Sequence, residues 1–371
     1  MRQRYHIIID LYLSMIHRQQ ITYKLLTHKL FLCISLFISI CSCKEQPKQA
    51  NEIERSLYYW KSHLKLSDFE KGRIDSLGIN IIYLKFFDVG WNEVTNQPMP
   101  IAKLTIDQTI NEAIFPYTII PTIFITNECI QKIDSSQIEQ LAKNTIKLTK
   151  ELIQQYPFKK IREIQFDCDW TALTKEKYFS FLHYCKKDSV FSHLPISATI
   201  RLHQIKYVNK TGFPPVNKGL LMCYNMGNLK NPNTQNSIIE TTELDKYIPT
   251  LYNYPLPLDI ALPLFDWYVL FRNNVYVGLI NQIDINNNVF EKISPTRYRV
   301  VSDTTMQSIS LQKNDIIRAE KSEYSEIISA TKSLQNKIKN TQLRVSLFHL
   351  DSIILSKYSI NELESIYNSM R

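Results

Sequence analysis

Short runs of β-branched and aromatic residues recur along this chain, with helical patterns filling the spaces between them. This alternation constrains the fold more than any other feature. A strand that is apolar on both faces must be covered on both sides, and helices do this for a parallel sheet. Seven such strands are read at 79–87, 119–126, 161–170, 196–204, 219–226, 258–265 and 343–349, with weaker ones near 101–104 and 275–280.

The helices between them carry start and stop signals. Ser67 and Glu70 form a capping box, in which the serine oxygen and the glutamate satisfy free amides of the first turn, and Gly78 suits the end of that helix. Ser136 and Glu139 predict a second box. It opens a helix with Ile138, Leu141, Thr145, Leu148 and Leu152 on one face, ended by Pro157. Further helices are expected at 175–187, at about 319–339 and from Ser359.

A chain of 371 residues can bury its core as one barrel or as two smaller domains. The strand count favours a single α/β domain over 56–371, a (β/α)8-type TIM barrel rather than a doubly wound sheet. The Asn-, Asp-, Ser- and Thr-rich stretch 272–310 reads as an insertion between late strands. No fixed-period repeat is visible, which argues against a solenoid or propeller.

The first 55 residues follow different rules. Lys24, His28 and Lys29 precede an apolar run at 30–40, about the length of a signal-peptide core and short for a membrane span. Ile40-Cys41-Ser42-Cys43-Lys44 then resembles a bacterial lipobox, with small Ser42 placing the acylated cysteine at Cys43 rather than Cys41. Residues 1–42 are expected to be a signal peptide and Cys43 the lipidation site. Polar 43–55 would be a tether, leaving the domain lipid-anchored at the cell envelope, on the outer membrane or the periplasmic face. The alternatives are a plain secretory signal or a transmembrane anchor.

The formal charge is +9, but leader residues account for much of it and the rest carries about +5, without a Lys/Arg block. Nucleic-acid binding is not expected. With only 7 glycines the chain offers no Gly-rich phosphate loop. Cys129, Cys168, Cys185 and Cys223 form no CxxC pair, so neither a metal nor another cofactor is expected. Cys168 and Cys223 sit in apolar runs as core residues, and disulfides remain open.

In a barrel, function gathers where strands end at the C-terminal face. One strand ends in Asp88-Val89-Gly90-Trp91 and another in Gln165-Phe166-Asp167-Cys168-Asp169-Trp170-Thr171. Alternation would put Gln165, Asp167, Asp169 and Thr171 on one face. Repulsion between the two acids would raise one pKa, as acid/base work requires, so Asp167 and Asp169 are the catalytic candidates. Arg201 and His203 alternate on the next strand, Tyr224 and Asn225 end another, and Asp266 lies beside Trp267. Together with Asp88, Trp91, Trp170 and Thr171 these form a candidate sugar-binding set, since aromatic faces stack on sugar rings while polar groups take the hydroxyls. For Arg201, His203 and Trp267, packing or strand-end bridging is the alternative. His349 reads as a core residue.

Phe166-Asp167-Cys168-Asp169-Trp170-Thr171 resembles the D-x-D-x-E strand-four signature of chitinase-like (family 18) glycosidases. Met222-Cys223-Tyr224-Asn225 is similar to that family's M-x-Y-D/N motif, and Ala261-Leu262-Pro263-Leu264-Phe265 to its G-x-P-x-Y segment. The whole chain also resembles a group of bacterial lipoproteins. The family resemblance implies that Asp169 orients an acetamido group with Asp167 behind it, and that Tyr224 bonds the developing oxazolinium. It places Thr171 where the proton-donating glutamate belongs, and a threonine hydroxyl does not supply that proton. Three functions follow: a glycan-binding barrel without the standard acid, a hydrolase with an acid relocated to Asp88, Glu128 or Asp266, or a non-catalytic scaffold for a protein partner.

Overall fold

The computed structural model describes residues 52–110, 116–156, 158, 160–189, 191–306, 308–340 and 342–371. The expected signal peptide, Cys43 and the tether up to 51 lie outside the described residues. Eight parallel strands form the barrel: β1 (Glu52–Tyr59), β2 (Ile81–Asn92), β3 (Thr118–Ile125), β4 (Ile164–Asp167), β5 (Ile196–Arg201), β6 (Lys218–Met222), β7 (Leu258–Pro263) and β8 (Gln342–Phe348). Each pairs with its neighbour in chain order, and β8 pairs with β1, so the sheet closes. This is the TIM barrel that the alternation of strands and helices predicts.

The first strand is the one the sequence conceals. Glu52, Glu54 and Arg55 give it a polar start, so 52–55 reads as tether, yet these residues pair in register with Gln342–Val345 of β8. Arg55 turns outward to Glu364 and Asn368, while Glu54 is answered at the barrel's lower end by Arg344, which is only 3 % exposed. Arg344 donates to Glu54 at 2.7 Å, Glu163 at 2.9 Å and the Tyr83 hydroxyl at 2.8 Å. Lys218 reaches Asp259 at 2.5 Å and Glu163 at 3.3 Å. Above this network Tyr58 stacks on Tyr83 with centroids 4.6 Å apart and donates to Gln165. Gly219 lets β6 close on its neighbours, because a Cβ there would come within 2.7 Å of Ile200 and Leu258.

Helices cover the outside. Helix α1 (Asp68–Ser76) has the predicted Ser67–Glu70 capping box, and Gly78 follows at φ +61°. Helix α2 (Ile138–Gln155) starts differently: Asp134, not Ser136, accepts the first free amide, and a short 3₁₀ turn intervenes. Helix α3 (Lys175–Lys187) packs Phe181 edge-to-face on Phe166 of β4 at 5.2 Å, a geometry that adds about 0.5–1.5 kcal/mol beyond its burial. The predicted helix at 319–339 is two elements, a strand Ile316–Lys321 and helix α4 (Tyr324–Leu334). Arg318 and Glu320 face inward there as a buried ion pair, which helical periodicity does not anticipate. Helix α5 (Ile360–Asn368) closes the chain with its Ser359–Glu362 box.

The insertion is wider than 272–310. The chain leaves β7 and builds a five-stranded antiparallel sheet from Asp266–Arg272, Val275–Ile280, Phe290–Ser294, Arg297–Val300 and Ile316–Lys321. The sheet has its own small core of Leu270, Ile280, Val300, Leu311 and Ile317. Cys129, Cys168, Cys185 and Cys223 are all buried and unpaired.

Candidate functional site

A cleft of about 950 Å³ opens where the barrel strands end. Its floor is aromatic. Phe348, last residue of β8, lies 5.9 Å from Trp60, 5.5 Å from Tyr224 and 5.8 Å from Phe265, centroid to centroid. Phe124 of β3 continues this surface at 6.3 Å from Trp60. The peptide between Phe348 and His349 is cis. The inserted sheet supplies one wall, with Asp266, Trp267 and the turn at 281–284.

Polar groups break this surface at few places. Asp167 ends β4 inside the barrel and is 2 % exposed. Thr199 of β5 donates to its carboxylate at 2.5 Å, and the Arg201 guanidinium stands 3.7 Å away. Burial pushes the Asp167 carboxyl up to about 6; Arg201 opposes that rise, and the charges of Asp169 and Asp88 add to it. Arg201 donates to Asp169 at the rim, so one cation holds both acids. Gln204 fixes this corner, accepting from the Arg201 amide at 2.8 Å and donating to the Trp170 carbonyl at 3.0 Å.

Two buried side-chain atoms of the cleft lining have no hydrogen-bond partner among the described residues. The Tyr224 hydroxyl is buried in a residue 4 % exposed, and burial pushes its pKa up, keeping it a neutral phenol. His349 Nδ1 is the other, on a ring whose pKa burial lowers, so it stays neutral at pH 7. Opposite them the Trp267 indole donates to Glu320 at 2.7 Å. Glu320 also accepts from the Ser237 amide and from Arg318, whose other nitrogens bind the carbonyls of Leu229 and Asn231. A buried ion pair thereby sets the angle of one cleft wall.

The structure brings Asp167, Arg201, Tyr224, Asn225, Asp266 and Trp267 together in the cleft. The remaining candidates lie elsewhere. Strand β4 stops at Asp167, so alternation no longer places Asp169 and Thr171 on its face. Asp169 sits half-exposed at the rim. Trp170 turns into the core, 0 % exposed, stacked on Tyr178 at 5.3 Å and donating to the Thr211 carbonyl. Thr171 is exposed in the turn that starts α3, where its hydroxyl accepts from the Leu173 amide and its carbonyl from Lys175. His203 is exposed on the short helix Leu202–Lys206, because β5 ends at Arg201. Trp91 lies on a hairpin opposite Pro98. Asp88 is drawn by a bulge in β2 onto Lys85 at 2.8 Å, beside Trp60. Glu128 pairs with Lys132 on an exposed helix away from the cleft.

Sequence reasoning missed Trp60, Phe124, Phe348 and Asp351, all of which line the cleft. It also read His349 as core, whereas this residue lines the cleft. Trp60 and Phe348 share one signal, an aromatic residue in the last or next position of a strand; Phe124 falls one residue earlier, and Asp351 carries no such signal.

No family model matches the sequence, and no curated protein matches it significantly. Solved structures do resemble it. The chitinase from Chromobacterium violaceum ATCC 12472 aligns with a TM-score of 0.50 at 7 % identity, covering 87 % of this chain and 100 % of that one. The spore cortex-lytic enzyme SleL of Bacillus megaterium QM B1551 aligns with a TM-score of 0.50 at 13 % identity, covering 88 % of this chain and 76 % of that one. The fold is a closed eight-stranded parallel TIM barrel, the architecture that both of these enzymes share. At these identities the likeness is one of architecture, and the cleft lies at the face where such barrels place their sites.

Proposed function

We propose that this protein is a lipid-anchored envelope protein that binds glycan in the barrel-mouth cleft and lacks the usual proton donor of chitinase-like enzymes. The observation that carries the reading is the cleft itself, an aromatic floor broken by Asp167, Arg201 and the unpartnered Tyr224 hydroxyl. Sugar rings stack on such faces while their hydroxyls satisfy the polar atoms. Thr171, at the motif position of the glutamate, is held in the cap of α3 and cannot donate a proton into the cleft. Anchoring rests on the lipobox-like Ile40–Lys44 segment of the sequence.

A hydrolytic reading draws on one feature, the Asp167 carboxyl, which titrates near about 6 and so is partly protonated in mildly acidic solution. The deciding experiment titrates purified protein calorimetrically with chitin, peptidoglycan, host-type and plant-type oligosaccharides and measures sugar release from the same panel. Binding without release supports the proposal. Release that disappears in Asp167→Asn replaces it with the hydrolytic reading, and absence of any binding removes both.

A further inference from the structure

We propose that the cleft takes a glycan carrying free, protonated amino groups, a chain of 2-amino-2-deoxy sugars rather than an acidic or fully N-acetylated one. This rests on the glycan-binding reading and names the ligand class for that site.

The argument starts from the charges. Asp167, Asp266, Asp284 and Asp351 line the cleft, against only two cations, Arg201 and Lys357. Both cations are already committed: Arg201 to Asp169 and Asp167, Lys357 to Asp266. Asp351 takes Lys61 at 2.7 Å from outside the lining. Asp284 accepts only the Asn286 amide in its own turn, and no ion pair reaches it among the described residues. The cleft therefore has a surplus of negative charge and no uncommitted cation. An acidic sugar would bring like charge into this field with nothing to receive it.

A second, independent feature points to the same ligand. The Tyr224 hydroxyl is buried without a partner, within electrostatic reach of Asp167 and Arg201. The rings of Phe265 and Phe348 lie 5.7 Å and 5.5 Å from that of Tyr224, and Trp60 stands 5.9 Å beyond Phe348. Aromatic faces attract an ammonium group, and an ammonium has three N–H donors to share between a phenol oxygen and a carboxylate. N-acetylation removes that charge, so the cation–π attraction and the charge assistance are lost and one N–H donor remains of three. Thus the floor binds the ring, and the acids select the amine.

The test titrates the purified protein at pH 6, where an amine is protonated, with the tetramers of glucosamine, N-acetylglucosamine and galacturonate, and repeats the series on Asp284→Asn. The glucosamine tetramer is expected to bind about tenfold more tightly than the N-acetylated one, a difference of one decade in Kd. Asp284→Asn, which removes an exposed charge and no ion pair, should narrow that preference by about threefold. Equal or tighter binding of the N-acetylated or the acidic tetramer overturns the amino-sugar class and leaves glycan binding standing. An unchanged preference in Asp284→Asn overturns the electrostatic origin of the selectivity. Failure of all three to bind overturns the glycan reading, and this inference with it.

Discussion

The two ends of the barrel both hold charged groups out of water, and they do so in opposite ways. At the lower end Arg344, Glu163, Lys218, Asp259 and Glu54 interlock, so nearly every charge has a partner at salt-bridge distance. At the mouth Arg201 alone serves two acids, while the Tyr224 hydroxyl and His349 Nδ1 have no partner among the described residues. The lower network leaves Glu163 Oε1 without a hydrogen-bond partner, but its charges meet one another at salt-bridge distance and tie strands together. The upper one is incomplete, and an incomplete polar set beside an open cleft suits a ligand. The same residue types thus tie strands together at one end and line an open cleft at the other.

Substitutions can break this contrast. Arg344→Met would leave Glu163 and Asp259 buried with less compensation, and should cost about 3–5 kcal/mol of stability. Urea unfolding measures it, and a loss below about 1 kcal/mol would erase the distinction between the ends.

Asp167→Asn should do the opposite. Its native carboxyl titrates near about 6 and an unfolded one near about 3.9. Between those values the native state holds more protons, so stability falls as pH rises through that window. The amide removes this penalty, giving a gain of about 2 kcal/mol at pH 7 that fades toward pH 4. A series of melts from pH 4 to pH 7 checks both sign and window.

Tyr224→Phe removes an unpartnered hydroxyl. It should change stability by less than about 0.5 kcal/mol while weakening glycan binding by about tenfold, read by calorimetry. The smallest effect on the fold belongs to Cys43→Ser. It should abolish incorporation of labelled fatty acid and leave the melting temperature unchanged, because the described domain starts at Glu52.

Much of the barrel is legible in the sequence because its strands carry their own signal. Runs such as 79–87 and 219–226 are apolar on both faces, and capping serines mark the helices that cover them. Strand β1 escapes because its charges are answered only in three dimensions, Glu54 by Arg344 and Arg162 and Arg55 by Glu364. The strand Ile316–Lys321 escapes for the same reason: Arg318 is answered by the carbonyls of Leu229 and Asn231, and Glu320 by Ser237 and Trp267. In the cleft, alternation located Asp167 and Arg201 but failed two to three residues past those strand ends. There the chain turned Trp170 into the core and His203 onto a helix. Parity holds only while the backbone remains extended. The floor aromatics Trp60, Phe124 and Phe348 come from three separate strands, and no local pattern links them.

The inserted sheet encloses a small hydrophobic centre of its own and meets the cleft through Trp267, Asp266 and the turn at 281–284. None of these residues belongs to a barrel strand. Changes in the 281–284 turn can therefore accumulate without disturbing the closed ring of hydrogen bonds beneath. The molecule separates what must be kept for folding from what is free to vary, and a lineage could reshape one wall of the cleft while its floor stays fixed.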